Sequence, residues 1–466
     1  MINKTLSKIL YLFPMLVLTC WPIDVTMGQV SSPNFIVILT DDQRMDALGA
    51  NGNDFIITPS LDKLAKASLV FTQANVVFSL CSPSRAAILT GRYGSANGVL
   101  KLDSRLGEHE KSLAQYLQEA GYLTAFSGKW HLPQSPNELG FDQSVYFKGN
   151  GAYYRRAIYE EGHISRPAQH CDEYCVDWSM RFLEKTVEND QPFFLFHCTQ
   201  LPHMDGNLVW NAQLSTLSLY DNKDLPVTAT RKEDLSSKPP YLKQVRNYTK
   251  AKDYGYPDAE AIQKHTKQYY AVITEMDAAL GRLIEKTEKL GLMHNTYIIF
   301  MSDNGWMLGE HGFTSKVLPY RPSTSIPFFI HGPDITAFKR EELVLNIDVA
   351  PTILDLAGGR IPEEMHGNSI KPLLSQEKVP WRNEFVYEGL GIYGGAAPNL
   401  TVFDGRFRYI QTYSDSSLSQ VDFIELYDNK KDIKEQENLA NDIKCQDIVD
   451  NFKETIRLHQ QEILKK

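Results

Sequence analysis

The chain is 466 residues long, enough for one large α/β domain and a smaller one around an ample core. With 42% hydrophobic and 23% charged residues, its composition is that of an ordinary globular protein and excludes collagen-like, coiled-coil and disordered classes. A net charge of −9 argues against nucleic acid as a partner, while an anionic ligand remains compatible wherever positive charge is gathered locally.

Lys4 and Lys8 precede an apolar run at residues 9–19, the pattern of an export signal and too short to span a bilayer. Cleavage is expected near Gly28. Alternatively, Val17-Leu18-Thr19-Cys20 resembles a lipoprotein processing site that would leave Cys20 as a lipidated first residue, although Thr19 is larger than the residue usual there. No other apolar segment approaches spanning length, so membrane contact is expected only through such an anchor.

Residues 34–40 form a continuous apolar, β-branched run and read as a strand buried on both faces. A helix is expected over residues 61–68. Another should begin near Pro83 and stop at Gly91. Residues 110–120 read as a helix ended by Gly121, and residues 122–127 as a second buried strand. A helix over 174–188 leads through Pro192 into a strand at 193–198. Residues 204–257 are polar, lack clear periodicity, and read as an insertion over the active face. A long helical pattern at 261–290, stopped by Gly291, precedes a strand at 296–302. After a helix at 348–357 the pattern changes to short strands within 384–413, another at 422–427, and an amphipathic helix over 448–464. The expected organisation is a signal at 1–28, a catalytic α/β domain over 33–375 with a large, mostly parallel sheet between helical layers, and a smaller α+β subdomain over 376–466.

Of the six cysteines, Cys20 belongs to the signal. Cys171 and Cys175 beside His170 have a spacing reminiscent of a metal clip. No second cysteine pair or His-x3-His partner accompanies them, so free or disulfide-bonded structural cysteines are the expectation for Cys171, Cys175, Cys198 and Cys445.

Cys81 opens Cys81-Ser82-Pro83-Ser84-Arg85, continuing to Gly91-Arg92. The cysteine would sit at a helix N-terminus, an end favourable to an anion, with Arg85 one turn along the same face. Alone, the motif also fits a half-buried cysteine beside a structural arginine. Four strand ends, however, carry further polar clusters: Asp41-Asp42, Gly128-Lys129-Trp130-His131, Pro202-His203 and Asp303-Asn304-Gly305. Beyond the carboxyl ends of strands in an open parallel sheet is where ligand groups collect. Three carboxylates and one amide oxygen suit a hard cation, calcium or magnesium, and have little to attract zinc.

Together with Ser302-Asp303-Asn304-Gly305-Trp306-Met307-Leu308-Gly309-Glu310-His311-Gly312 and Lys316, these motifs resemble the two signatures of the formylglycine-dependent sulfatases, and the likeness covers essentially the whole chain from Pro33 on. The resemblance implies an alkaline-phosphatase-like fold and oxidation of Cys81 to formylglycine by a maturation enzyme. It also implies calcium held by Asp41, Asp42, Asp303, Asn304 and an oxygen of the hydrated Cys81 aldehyde. One hydroxyl of that hydrate would attack sulfur, with Arg85 and the metal stabilising it and Lys129 contacting hydrate and sulfate. Either His203 or Lys316 would protonate the leaving alcohol. His131 would take the proton of the second hydroxyl, expelling sulfate. The chain departs from the family pattern in following His203 with Met204-Asp205, which puts the leaving-group pocket in question.

An exported enzyme of this kind fits a bacterium, acting in the periplasm, on the outer membrane or outside the cell, with a sulfated polysaccharide or oligosaccharide as substrate. Arg155, His163, Trp306, Arg321, His366 and Tyr393 are candidates to stack on and pair with a sulfated sugar. Two rival readings are a phosphonate or phosphate ester hydrolase with the same nucleophile, and a catalytically silent glycan-binding lipoprotein whose Cys81 stays unconverted.

Overall fold

A computed structural model describes Met1 and residues 32–189 and 191–463. The expected signal and Cys20 lie outside the described residues. Ten strands form the main sheet: β1 (Asn34–Asp41), β2 (Leu69–Phe71), β3 (Leu123–Trp130), β4 (Gln143–Lys148), β5 (Ile158–Glu160), β6 (His163–Ser165), β7 (Phe193–Pro202), β8 (Thr296–Ser302), β9 (Phe328–His331) and β10 (Phe338–Arg340). Their spatial order is β10-β2-β9-β8-β1-β7-β3-β4-β5-β6. The central strands β8, β1, β7, β3 and β4 are all parallel, while β9, β5 and β6 run antiparallel to their neighbours.

Alternation along β1 decides the two layers. Ile36 and Ile38 enter one core, built with α1 (Pro59–Lys66), α4 (Cys171–Thr186) and α6 (Ala259–Lys289). Phe35, Val37 and Leu39 enter the other, built with α2 (Cys81–Thr90), α3 (Leu113–Glu119) and α7 (Val349–Leu356). Between α4 and α6 the chain carries α5 (Arg246–Asp253). The chain then closes with a four-stranded antiparallel sheet, Phe385–Gly389, Asn399–Phe403, Phe407–Tyr413 and Val421–Asp428, which α8 (Gln446–Glu462) covers through Val449, Phe452 and Ile456. Tyr387, Phe403, Ile410 and Tyr427 on that sheet pack with Val317, Leu318 and Tyr320 of the main body. The large mixed, mostly parallel sheet between helices, with a small antiparallel sheet at the C-terminus, is the architecture expected from the sequence. No helix among the described residues is long and apolar enough to cross a membrane.

Several boundaries differ from the sequence expectation, three of them for identifiable local reasons. The helix expected from residue 110 begins at Leu113, because Ser112 and Gln115 close a capping box there. The helix expected from 174 begins at Cys171, because the ring nitrogen Nδ1 of His170 accepts the Asp172 amide at 3.2 Å and caps it. His170 is thus a cap, and all five cysteines among the described residues are free, with Cys171 and Cys175 packed in the core. The strand expected to end at Ser127 runs on to Trp130, so Gly128 and Lys129 lie within it.

Gly128 explains that extension. Its φ of +109° is open to glycine, and a Cβ there would stand 1.7 Å from the Cys198 carbonyl oxygen of β7. The close approach lets β3 carry Lys129 alongside β7. A Gly128→Ala substitution combines backbone strain with a steric clash and is expected to destabilise the protein by about 3 kcal/mol or more, read as a lowered Tm. An unchanged Tm would show that the β3–β7 pair relaxes around the methyl group.

Candidate active site

Parallel register places the chemistry. Thr40 pairs with Ser302 and Asp41 with Pro202, so β1, β8 and β7 end at one level. Asp303 donates its amide to Thr40 O at 2.9 Å, and Asp42 turns the chain with φ of 67°. Cys81 is the first residue of α2, and Ser82 Oγ, 2.6 Å from the His131 carbonyl oxygen, fastens that helix to the end of β3.

Asp41, Asp42, Asp303 and Asn304 are all buried, and the Asp42 amide donates to Asp303 Oδ1 at 3.2 Å. Three buried cations face the three carboxylates. Arg85 donates through Nε to Asp303 Oδ2 at 3.0 Å and through Nη2 to Asp41 Oδ2 at 3.2 Å, while Nη1 holds the Lys129 carbonyl at 2.9 Å. Lys129 pairs with Asp41 and also donates to Asn150 Oδ1, and Lys316 pairs with Asp42. Cys81 Sγ lies 3.5 Å from Asp41 Oδ1 and 2.6 Å from Lys316 Nζ.

Burial raises the carboxyl of Asp41, yet Lys129, Lys316, His203 and Arg85 outweigh it and hold the group well below the ordinary range. Burial pushes Asp42 up to about 7, with Lys316 opposing and Asp41 and Asp303 adding to the rise. Asp303 is raised by burial and by Asp41. Burial alone would lower Lys316, but Asp42, Cys81 and Asp41 raise it well above its usual value, so it stays protonated. The Cys81 thiol is pushed up to about 12 by burial and by Asp41. The helix N-terminus therefore does not make Cys81 a thiolate, and the unmodified residue is a poor nucleophile. His131 and His203 are both lowered, chiefly by burial and then by Lys129, and stay neutral.

Two buried acceptors of this cluster, Asp42 Oδ2 and Asn304 Oδ1, have no hydrogen-bond partner among the described residues. Asn304 Nδ2 already donates to Asp42 Oδ1 at 2.6 Å and to Gly305 O at 3.0 Å, leaving its oxygen free. His203 donates its Nδ1 hydrogen to Met204 O at 2.7 Å, so its other ring nitrogen presents a lone pair to Asp42 Oδ2, 3.7 Å away. Ligand atoms of Asp41, Asp42 and His203, and those of Asp41, Cys81 and Asp303, each cluster within 4.8 Å. Clustered carboxylates with orphaned oxygens of hard character fit a divalent cation.

A cavity of about 80 Å³ opens above Cys81. His203, Lys316, Trp306 and Tyr393, all singled out in the sequence, line it. Arg155, His163, Arg321 and His366 are not among its lining residues. His163 lies on the exposed strand β6, Arg321 lines a separate pocket with Arg44 and Lys339, and His366 accepts the Tyr93 amide at 3.2 Å. His131 is not among the lining residues either, and its Nδ1 is buried and unpaired among the described residues. His311 of the second motif turns away to Glu233, 2.7 Å from Nδ1. Sequence reasoning missed Asn150, Arg246, Lys250 and Tyr254, which also line the cavity. The spacing of Arg246 and Lys250, four apart in a segment read as lying over the active face, was the available signal.

The chain matches the sulfatase family model over residues 33–359, and the model of the C-terminal part of N-sulphoglucosamine sulphohydrolase over residues 309–462. It is 28% identical to the N-acetylglucosamine-6-O-sulfatase of Bacteroides thetaiotaomicron across 88% of this chain and 83% of that protein. Identity is also 28% to the arylsulfatase of Clostridium perfringens, across 91% of this chain and 93% of that one. A protein solved in complex with its substrate D-glucosamine-2-N,6-O-disulfate superposes with a TM-score of 0.84 at 25% identity, over 93% of this chain and 99% of that one. A sequence match of that extent, on an architecture shared with a solved relative, makes the chain a sulfuric ester hydrolase of the sulfatase family, within the alkaline phosphatase superfamily.

Proposed function

We propose that the enzyme hydrolyses sulfate esters on a sulfated saccharide, after export and after maturation of Cys81 to formylglycine, with calcium held by Asp41, Asp42, Asp303 and Asn304. The observation that carries this reading is the position of Cys81 Sγ between Asp41 and Lys316 at the floor of the cavity. Two of the relatives named above are an N-acetylglucosamine-6-O-sulfatase and a protein solved with D-glucosamine-2-N,6-O-disulfate, which supports a saccharide substrate.

Formylglycine supplies, as its hydrate, a hydroxyl nucleophile that a buried thiol with a raised pKa does not offer. Calcium supplies positive charge where negative charge develops on the sulfate oxygens. The remaining work falls to the chain's own groups. Arg85 spans Asp41 and Asp303 and keeps both carboxylates in place. Lys129 and Lys316 bring fixed positive charge to the floor of the cavity, where the sulfate would sit. Lys316 and His203 both line the cavity; Lys316, held protonated, has a proton to give the leaving alcohol, whereas His203, neutral with its Nδ1 hydrogen on Met204 O, would have to gain one first. His131, neutral with an unpaired Nδ1, is the base we assign to the proton released when sulfate departs.

Free sulfate released from a panel of sulfated saccharides, by protein whose Cys81 conversion has been verified by peptide mass, tests the reaction. Sulfate release is the expected result. Turnover of aryl phosphate with none of aryl sulfate would overturn the reading. Cys81→Ser should lower kcat by at least about 10³-fold, because serine has only one hydroxyl, and full activity in that variant would sink the role assigned to Cys81. The cation is tested without reference to turnover. Asp42→Asn removes one negative charge from the oxygen set and should weaken calcium binding at least ~10-fold in calorimetry. Unaltered calcium affinity would remove Asp42 from the site.

A further inference from the structure

The cavity above Cys81 is lined by cations beyond those that meet the scissile sulfate. Arg246 and Lys250 reach it from α5, and no carboxylate is among its lining residues, although the chain as a whole carries a net charge of −9. Four residues apart, the two side chains share one face of the helix.

Nor does α5 sit loosely over the site. Asn247 is buried, and its side-chain amide donates to the carbonyl oxygens of Thr314 and Lys316, both at 2.7 Å. The Arg246 amide donates to Gly394 O at 2.8 Å. The helix is therefore latched to the segment that bears Lys316, and its cations keep a set relation to the floor of the cavity. Among the described residues no carboxylate comes within ion-pair distance of Arg246. Lys250 pairs only with Asp253, at 3.1 Å, in an exposed contact that contributes little and that an incoming anion can replace.

We propose that Arg246 and Lys250 form a second anion site at the mouth of the cavity, so that the substrate is a saccharide bearing a further sulfate or carboxylate besides the sulfate ester to be hydrolysed. The inference rests on the sulfatase reading given above. The planar guanidinium of Arg246 suits the paired oxygens of either group, and Lys250 adds a point charge beside it.

Calorimetry on full-length, calcium-loaded Cys81→Ser protein tests the site with three ligands: N-acetylglucosamine 6-sulfate, glucosamine 2-N,6-O-disulfate, and the disaccharide of glucuronic acid with N-acetylglucosamine 6-sulfate. At least one of the doubly charged ligands should bind about tenfold or more tightly than the singly charged one. Preference for the disulfate names a sulfate as the second anion, and preference for the disaccharide names a carboxylate. Adding Arg246→Gln and Lys250→Gln should bring the affinities together, and raising salt on the unaltered helix should narrow the gap in parallel. Equal affinity for all three, including no binding of any, or a preference that survives both substitutions, overturns the proposal. Sulfate release by the matured enzyme is scored separately. Release without a charge preference defeats the second anion site alone, whereas preference without release defeats the sulfatase chemistry alone.

Discussion

Three carboxylates buried at the ends of neighbouring strands cannot stay ionised without compensation, and the structure around them is organised by that constraint. Burial and mutual repulsion raise Asp42 and Asp303, while Asp41 is held low only because Lys129, Lys316, His203 and Arg85 converge on it. Arg85 is central to this arrangement. Its fork spans two carboxylates, and its third nitrogen holds the Lys129 carbonyl, so one side chain ties α2 to β1, β8 and β3. Removing one partner from such a buried set generally costs about 3–5 kcal/mol, because a charge is left without compensation.

The same constraint accounts for the strained backbone around Lys316. Ser315 and Val317 both have positive φ, 73° and 82°, a conformation that is costly for a β-branched residue such as valine. The strain persists because several contacts hold the segment. Asn247 grips the Thr314 and Lys316 carbonyls, Val317 donates its amide to Ser79 O at 3.1 Å, and Tyr387 donates its hydroxyl to Val317 O at 2.7 Å. The C-terminal sheet, which supplies Tyr387, thereby helps aim a lysine at Cys81. Two parts of the chain remote in sequence from that cysteine, α5 and the small sheet, complete its surroundings.

Long apolar elements were the most legible. Strand β1 and helix α6 stand nearly where their periodicity put them, since each repeats its pattern over many residues and is buried accordingly. Short polar segments were less so. The run over residues 204–257 has no period, and its one cavity-lining helix, α5, has a polar surface that pattern alone does not distinguish from a solvated helix. Among the six residues expected to meet a sugar, Trp306 and Tyr393 line the cavity. Residue type selects candidates for sugar contact but carries no information about which side of the sheet a loop will return to.

By itself the sequence determined the parallel α/β architecture, the motif around Cys81, and the polar clusters at the ends of four strands. Those follow from local rules: period of burial, cap and stop residues, and the tendency of open sheets to gather ligand groups at strand ends. Tertiary structure alone decided that the Cys81 thiol is protonated rather than activated by its helix, because burial and Asp41 outweigh the local effect. It also decided that Arg246 and Lys250 belong to the cavity and that Asn304 Oδ1 and Asp42 Oδ2 are left without donors. Burial, electrostatic sums and long-range latches depend on what the rest of the chain brings near a residue, and no window of sequence contains them.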